Sequence, residues 1–217
     1  MLAWLVVVVV IALAALAHRR FAWGYPAPRR ALRRLAARDA AFLDAAAEAM
    51  FPAGGAIPVS GIEADVAGYV DDSVDRLPAP VRRQIRLLLI LFEQATIVFP
   101  GRGRGGRRRF SSLDVEQRVA VLRGWTQSRF FLRRFVFISL RALLTMGYLA
   151  HPAVARSLGV APYAIDSPIC EADLLYPRIG EHPDSIPYGP EDLTAPSDGT
   201  PLDLAGPLHP DFAEPAS

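Results

Sequence analysis

Apolar and polar positions fall into three regimes along this chain. Met1 to Ala17, MLAWLVVVVVIALAALA, is apolar throughout, with neither charge nor proline. From Ala31 to Gly159 apolar residues recur about every 3.6 positions between proline- and glycine-rich breaks, and no alternating run is long enough for a strand. Beyond Asp166 the periodicity gives way to Pro, Gly and acidic residues. The pattern predicts an all-α protein: an N-terminal transmembrane helix, a compact bundle of about five to six helices, and an irregular acidic Pro-rich tail. The corresponding divisions are residues 1–25, 26–165 and 166–217.

Within the body, Ala31 to Pro52 reads as an Ala-rich amphipathic helix with Leu35, Phe42, Leu43 and Met50 inward, ended by Pro52-Ala-Gly-Gly. Ser60 and Glu63 form a capping-box signature for a helix through Val66, Tyr69, Val70 and Leu77. Pro78 and Pro80 open the next, VRRQIRLLLILFEQATIVF, whose middle, Leu87 to Phe92, is apolar on all sides and reads as central and buried. GRGRGGRRR (Gly101 to Arg109) reads as a basic, mobile loop. SSLDVEQRVAVLRGW then predicts a helix with Val115, Val119, Leu122 and Trp125 inward, and HPAVARSLG a last short one ending at Gly159.

The N-terminal segment spans roughly 25 Å as a helix, at the short end of what crosses a bilayer. Trp4 and Trp23 suit an aromatic belt at its two ends. Ala15-Leu16-Ala17 has the pattern of a signal-peptide cleavage site, which is the competing reading. No positive n-region precedes the segment, and Arg19, Arg20, Arg29 and Arg30 follow it. These features favour an uncleaved single-pass anchor in the cell membrane with a cytoplasmic body; export to the periplasmic or extracellular face is the alternative. Arg29, Arg30, Arg33 and Arg34 are candidates for contact with anionic headgroups, each contributing ~1 kcal/mol near a membrane surface.

The stretch RFFLRRFVFISLRALLTMGYLAHPAV (Arg129 to Val154) raises the question of a second span. Arg141 would lie near its middle at a cost of at least ~2.5–3.5 kcal/mol, so a span is disfavoured. Arg134, Ile138 and Arg141 fall at i, i+4 and i+7, placing both Arg on one helix face. Two readings remain: a core helix with a polar seam, or a face whose Arg meet carboxylates on another helix or a partner.

Charge sharpens the division. The 217 residues carry a net +2, but residues 1–165 hold 23 Arg against 11 carboxylates, and residues 166–217 hold one Arg against 11. All basic residues are Arg, which pairs with carboxylates and phosphates bidentately as Lys does not. Cys170 is single and the four His are scattered, so neither a disulfide nor a metal-ligand spacing is present. Nucleophile elbow, HExxH, P-loop and CxxCH motifs are absent, and the adjacent carboxylates Asp71-Asp72 diverge on a helix. Gly101 to Gly106 matches GxGxxG but follows a helix and Pro100, not a strand. The same loop resembles an RGG segment, but no aromatic interleaves it before Phe110, which argues against nucleic acid. No catalytic, cofactor-binding or metal residue is expected in this chain. In the tail, Ile169, Leu174, Leu175 and Tyr176 could dock as an extended strap; a simple solubilising tail is the alternative.

Three segments carry a resemblance: FLDAAAEAMFPAGGAIPVSGIEADVAGYVDDSVDRLP (Phe42 to Pro78), FSSLDVEQRVAVLRGW (Phe110 to Trp125) and LRALLTMGYLAHPAV (Leu140 to Val154). In this order they resemble the gluconate 2-dehydrogenase subunit 3 family, over about residues 40–160. The helix from Ser112 to Trp125 and its successor also resemble the N-terminal helical region of long-chain fatty alcohol oxidases. The resemblance implies a non-catalytic accessory subunit. FAD would sit in a separate large flavoprotein of the glucose-methanol-choline type, often with a cytochrome c subunit as electron acceptor. Family members are typically exported with a twin-arginine signal, but here Arg19-Arg20 follow the apolar segment, a departure that bears on location and on the cytochrome. Partner-interface candidates are Arg134, Arg141, Trp125, Tyr148, Ile169, Leu174 and Tyr176. A stand-alone peripheral membrane or lipid-binding protein is the alternative.

Overall fold

The computed structural model describes residues 2–164, 168–177, 179–196, 199 and 206–213. Among these residues there are eight α-helices and no strand: α1 (Leu2–Phe21), α2 (Ala37–Met50), α3 (Val66–Asp75), α4 (Ala79–Gln94), α5 (Val115–Thr126), α6 (Phe131–Leu149), α7 (Pro152–Ser157) and α8 (Glu171–Leu175). The chain divides into two units, Met1–Leu158 and Gly159–Ser217.

In the first unit α2 lies at the centre, packed against α3, α4, α5 and α6. Its small residues Ala45, Ala46 and Ala47 are buried and let its neighbours approach, while Phe42 and Leu43 are fully enclosed. Phe42 reaches Phe92 of α4 at 5.9 Å and Phe110 at 5.3 Å between ring centroids, and Phe92 meets Trp125 of α5 at 4.4 Å. Burying each such side chain stabilises by about 1.5–3 kcal/mol, so this aromatic run is the main weld between α2, α4 and α5. On the other side α6 buries Phe137, Leu140, Leu144, Gly147 and Tyr148 and packs on α3 and α5. A Cβ at Gly147 would lie 3.0 Å from the Tyr69 ring, so this position sets how closely α6 and α3 approach.

Several boundaries differ from the sequence pattern for identifiable reasons. The helix expected from Ala31 begins at Ala37. The carboxylate of Asp71 on α3 accepts from the backbone N–H of Arg33 (2.6 Å), Arg34 (2.9 Å) and Leu35 (2.8 Å), holding that segment out of the helix. The Ser60–Glu63 capping box forms, with Ser60 N donating to Glu63 at 2.7 Å and Glu63 N to Ser60 Oγ at 3.2 Å, but it closes a turn. Helix α3 starts later, from Asp65, which adopts the left-handed region (φ 46°) and accepts from Gly68 N. Helix α4 is not buried all round: Leu89, Phe92 and Glu93 face the core, whereas Leu87 and Leu91 are exposed. Val115, at the first position of α5 after its Asp114 cap, also faces solvent, and Val121 takes the inward place.

The described side chains of α1 are exposed around the helix from Trp4 to Arg19. Among the described residues α1 is the one helix long and apolar enough to cross a bilayer; α6 is not. The foot of α1 is pinned to the bundle. Arg20 donates to Gln94 Oε1 (2.7 Å), to the Arg107 carbonyl (2.8 Å) and to Thr96 Oγ1 (3.2 Å). Arg109 donates to the carbonyls of Trp23 and Gly24 and stacks 3.9 Å over the Tyr25 ring. Beneath it the buried Glu93 accepts from Ser111 N and Oγ, and burial pushes its carboxyl above the ordinary range. The Gly101–Arg109 loop is therefore a clasp on α1, closed internally by Gly101 N donating to the Gly106 carbonyl (2.8 Å).

In the second unit Ile169 and Thr194 exchange hydrogen bonds (2.8 and 2.9 Å), and Tyr163 bridges Leu208. The extended strap expected over Ile169–Tyr176 is interrupted by α8, because Asp173 caps the Cys170 N–H at 2.9 Å and starts a turn of helix. The expectation of an irregular tail extends in part over residues outside those described.

Candidate partner-docking surface

Helix α6 is apolar on two faces, and the bundle covers one. The other carries Phe131, Phe135, Ile138, Ala142, Met146 and Leu149, all exposed and following the i, i+4, i+7 rhythm of a single stripe. Leu132 beside it is 70% exposed, Phe131 71% and Met146 58%, and together with the stripe they form the contiguous kind of apolar patch that marks an interaction surface. Phe131 and Phe135 stack on each other at 6.1 Å, so the upper part of the stripe is a preformed aromatic step.

The charges around this stripe are all positive, since α6 contains no Asp or Glu. The Arg134 guanidinium folds back and donates to the Ser128 carbonyl at 2.6 Å, which closes the first turn of the helix. Arg141 is exposed and makes no side-chain hydrogen bond or ion pair among the described residues. Arg129 lies 4.9 Å over the Phe130 ring at the upper end. Arg133 points inward: it stacks 3.9 Å over Phe99 and 4.9 Å over Trp125, and burial lowers its pKa. The surface is therefore an apolar strip with cationic margins, suited to a partner presenting apolar side chains flanked by carboxylates.

The sequence-predicted residues separate into three groups. Arg134 and Arg141 lie on α6 beside the stripe, flanking Ile138. Trp125 and Tyr148 do not belong to any docking surface, because the chain's own core consumes them. Trp125 is 3% exposed among Phe92, Phe99 and Arg133, while Tyr148 stacks on Phe51 at 4.0 Å and donates to the Val59 carbonyl at 2.6 Å. Ile169 and Leu174 are half-buried and Tyr176 exposed, all within the second unit. The headgroup candidates Arg29, Arg30, Arg33 and Arg34 keep 41–70% of their side chains exposed while pairing with carboxylates of the same chain. Arg30 pairs with Asp72 (2.7 Å) and Asp65 (3.4 Å), Arg34 and Arg33 with Asp75 (2.5 and 3.6 Å), and Arg29 with Asp44 (3.8 Å).

The exposed stripe itself was the part the sequence reading missed. Its signal was present: a nineteen-residue helix with apolar residues on both sides, in a body too small to bury both.

The family model described as gluconate 2-dehydrogenase subunit 3 matches residues 37–164, from the start of α2 to just beyond α7. No curated protein and no solved structure matches the chain. The matched span covers more than half of the sequence and the whole helical bundle, and the chain belongs to the gluconate 2-dehydrogenase subunit 3 family.

Proposed function

We propose, from membership of a family of dehydrogenase subunits, that this chain is the non-catalytic accessory subunit of a flavin-dependent dehydrogenase acting on alcohols or sugars. Its α6 stripe is the surface that binds the large, glucose-methanol-choline-type flavoprotein subunit, which carries the FAD. Helix α1 anchors the pair to the membrane with the Arg-rich foot on the cytoplasmic side. The observation that carries the docking reading is the second apolar face of α6, bare beside the unpaired Arg141. Covering Phe131, Leu132, Phe135, Ile138 and Met146 would yield on the order of 5–10 kcal/mol, enough to matter against the cost of association. Carboxylates on the partner would pair Arg141 at the margin and fix the register.

The test is capture of the full tagged chain from membranes solubilised in mild detergent, with the absorbance spectrum and masses of the eluate recorded. The proposal expects a yellow eluate with a flavin spectrum and a large companion chain. A colourless eluate of this chain alone, from cells shown to make a glucose-methanol-choline-type flavoprotein, would refute it and favour a protein that acts on the membrane by itself.

A further inference from the structure

The foot of α1 holds an open groove of about 770 Å³ whose wall includes Leu16, His18, Arg19, Trp23, Arg108 and Arg109, with no carboxylate in its lining. These residues divide by role. Arg109 is fixed by the Trp23 and Gly24 carbonyls and by Ser112 Oγ at 2.8 Å, and Arg20, also at the rim, is consumed by Gln94 and Thr96. The side chains of Arg19 and Arg108 make no hydrogen bond or ion pair among the described residues. The groove is thus lined by two committed cations and two uncommitted ones. The groove opens beside Leu16, whose helix face continues through Ala12, Val9 and Leu5, all exposed. Trp23, 68% exposed and 6.2 Å from His18, stands at the same level.

We propose that this groove binds the phosphate of an anionic phospholipid, its acyl chains lying along α1 and its headgroup held by Arg19 and Arg108. The ligand chemistry follows from the wall. Guanidinium forks match phosphate oxygens, no carboxylate lines the groove, with the buried Glu93 set against the committed Arg20 and Arg109, and an apolar track running from the anion site suits a lipid better than a free anion. The position agrees with it, since basic residues just beyond an apolar span meet the charged leaflet and Trp favours the interface. The inference rests on α1 lying in a bilayer, not on the dehydrogenase partner, and alkaline extraction of membranes tests that premise separately.

The experiment is calorimetric titration of the full chain in neutral detergent micelles with dihexanoyl phosphatidylglycerol, dihexanoyl phosphatidylcholine and inorganic phosphate. Saturable binding of the anionic lipid at one site is expected, with the zwitterionic lipid and phosphate about tenfold weaker or more. The double variant Arg19→Ala/Arg108→Ala should weaken binding roughly thirtyfold, from the loss of two headgroup contacts. The charge-matched control Arg102→Ala/Arg104→Ala, in the same loop but outside the groove, should leave it within about twofold. Equal losses in the two double variants would reduce the effect to diffuse charge and overturn the site. Inorganic phosphate binding as tightly as the lipid would overturn the lipid, and absence of saturable binding would overturn both.

Discussion

Helices α1 and α6 have nearly the same length, twenty and nineteen residues, and both are dominated by apolar side chains. They meet opposite fates. In α1 the charges are gathered at one end, Arg19 and Arg20, and the described side chains before them are exposed around the helix. In α6 the charges are spread over Arg133, Arg134 and Arg141, one face is locked into the bundle, and the other is bare. Apolar content alone therefore does not assign a helix its solvent. The position of the charges, and what the rest of the chain places against each face, decide between lipid, core and partner.

The strongest way to break this comparison is to put a charge on each helix. Leu140→Asp buries a carboxylate on the closed face of α6 and should cost more than about 4 kcal/mol, unfolding the bundle. Val8→Asp on α1 should leave the thermal transition of the body unchanged while releasing the chain from membranes under alkaline extraction. Circular dichroism melts and fractionation read the two effects. If Val8→Asp destabilised the body as much as Leu140→Asp does, α1 would be a core helix and the contrast would be wrong.

A smaller effect tests how the chain leaves α1 and enters the bundle. Asp71 is buried, and its carboxylate satisfies the backbone N–H groups of Arg33, Arg34 and Leu35. Burial acts to raise its pKa, but the three backbone hydrogen bonds together outweigh that and hold it below the ordinary carboxylate range. A carboxyl depressed in the folded state contributes stability above its unfolded pKa and loses it as pH falls through the folded value. Part of the acid unfolding below about pH 4 is therefore assigned to this residue. Asp71→Ala should cost about 2–4 kcal/mol at neutral pH, since it strands those donors. Asp71→Asn should flatten the acid limb of a Tm-against-pH curve; an unchanged limb would assign the acid sensitivity elsewhere.

What was legible in the sequence follows the same physics. The helical class, the apolar N-terminal segment and the inward set Phe42, Leu43, Val66, Val70, Leu122 could be read directly, because periodicity reports the face a helix buries. The family relation could also be read, from three helical segments that lie inside the matched span. Long-range polar contacts could not. That Asp71 would stop the helix at Ala37, that Arg29 to Arg34 would be paired by α3 and Asp44, and that the glycine- and arginine-rich loop would clasp Arg20 all depend on groups far apart in the chain. Trp125, which periodicity turns inward, and Tyr148 were also interface candidates because their ring chemistry suits an interface as well as a core, and packing encloses both.

The most direct test of the docking claim pairs two readings on one variant, Phe135→Asp/Ile138→Asp, made in the full chain. Both residues are exposed, so the thermal stability of the subunit should move by no more than about 0.5 kcal/mol. In the same preparation, the amount of flavoprotein that co-elutes should fall by about an order of magnitude or more, because two charges would be desolvated against an apolar partner. A folded double variant that still captured the flavoprotein in full would contradict the account and move the interface away from α6.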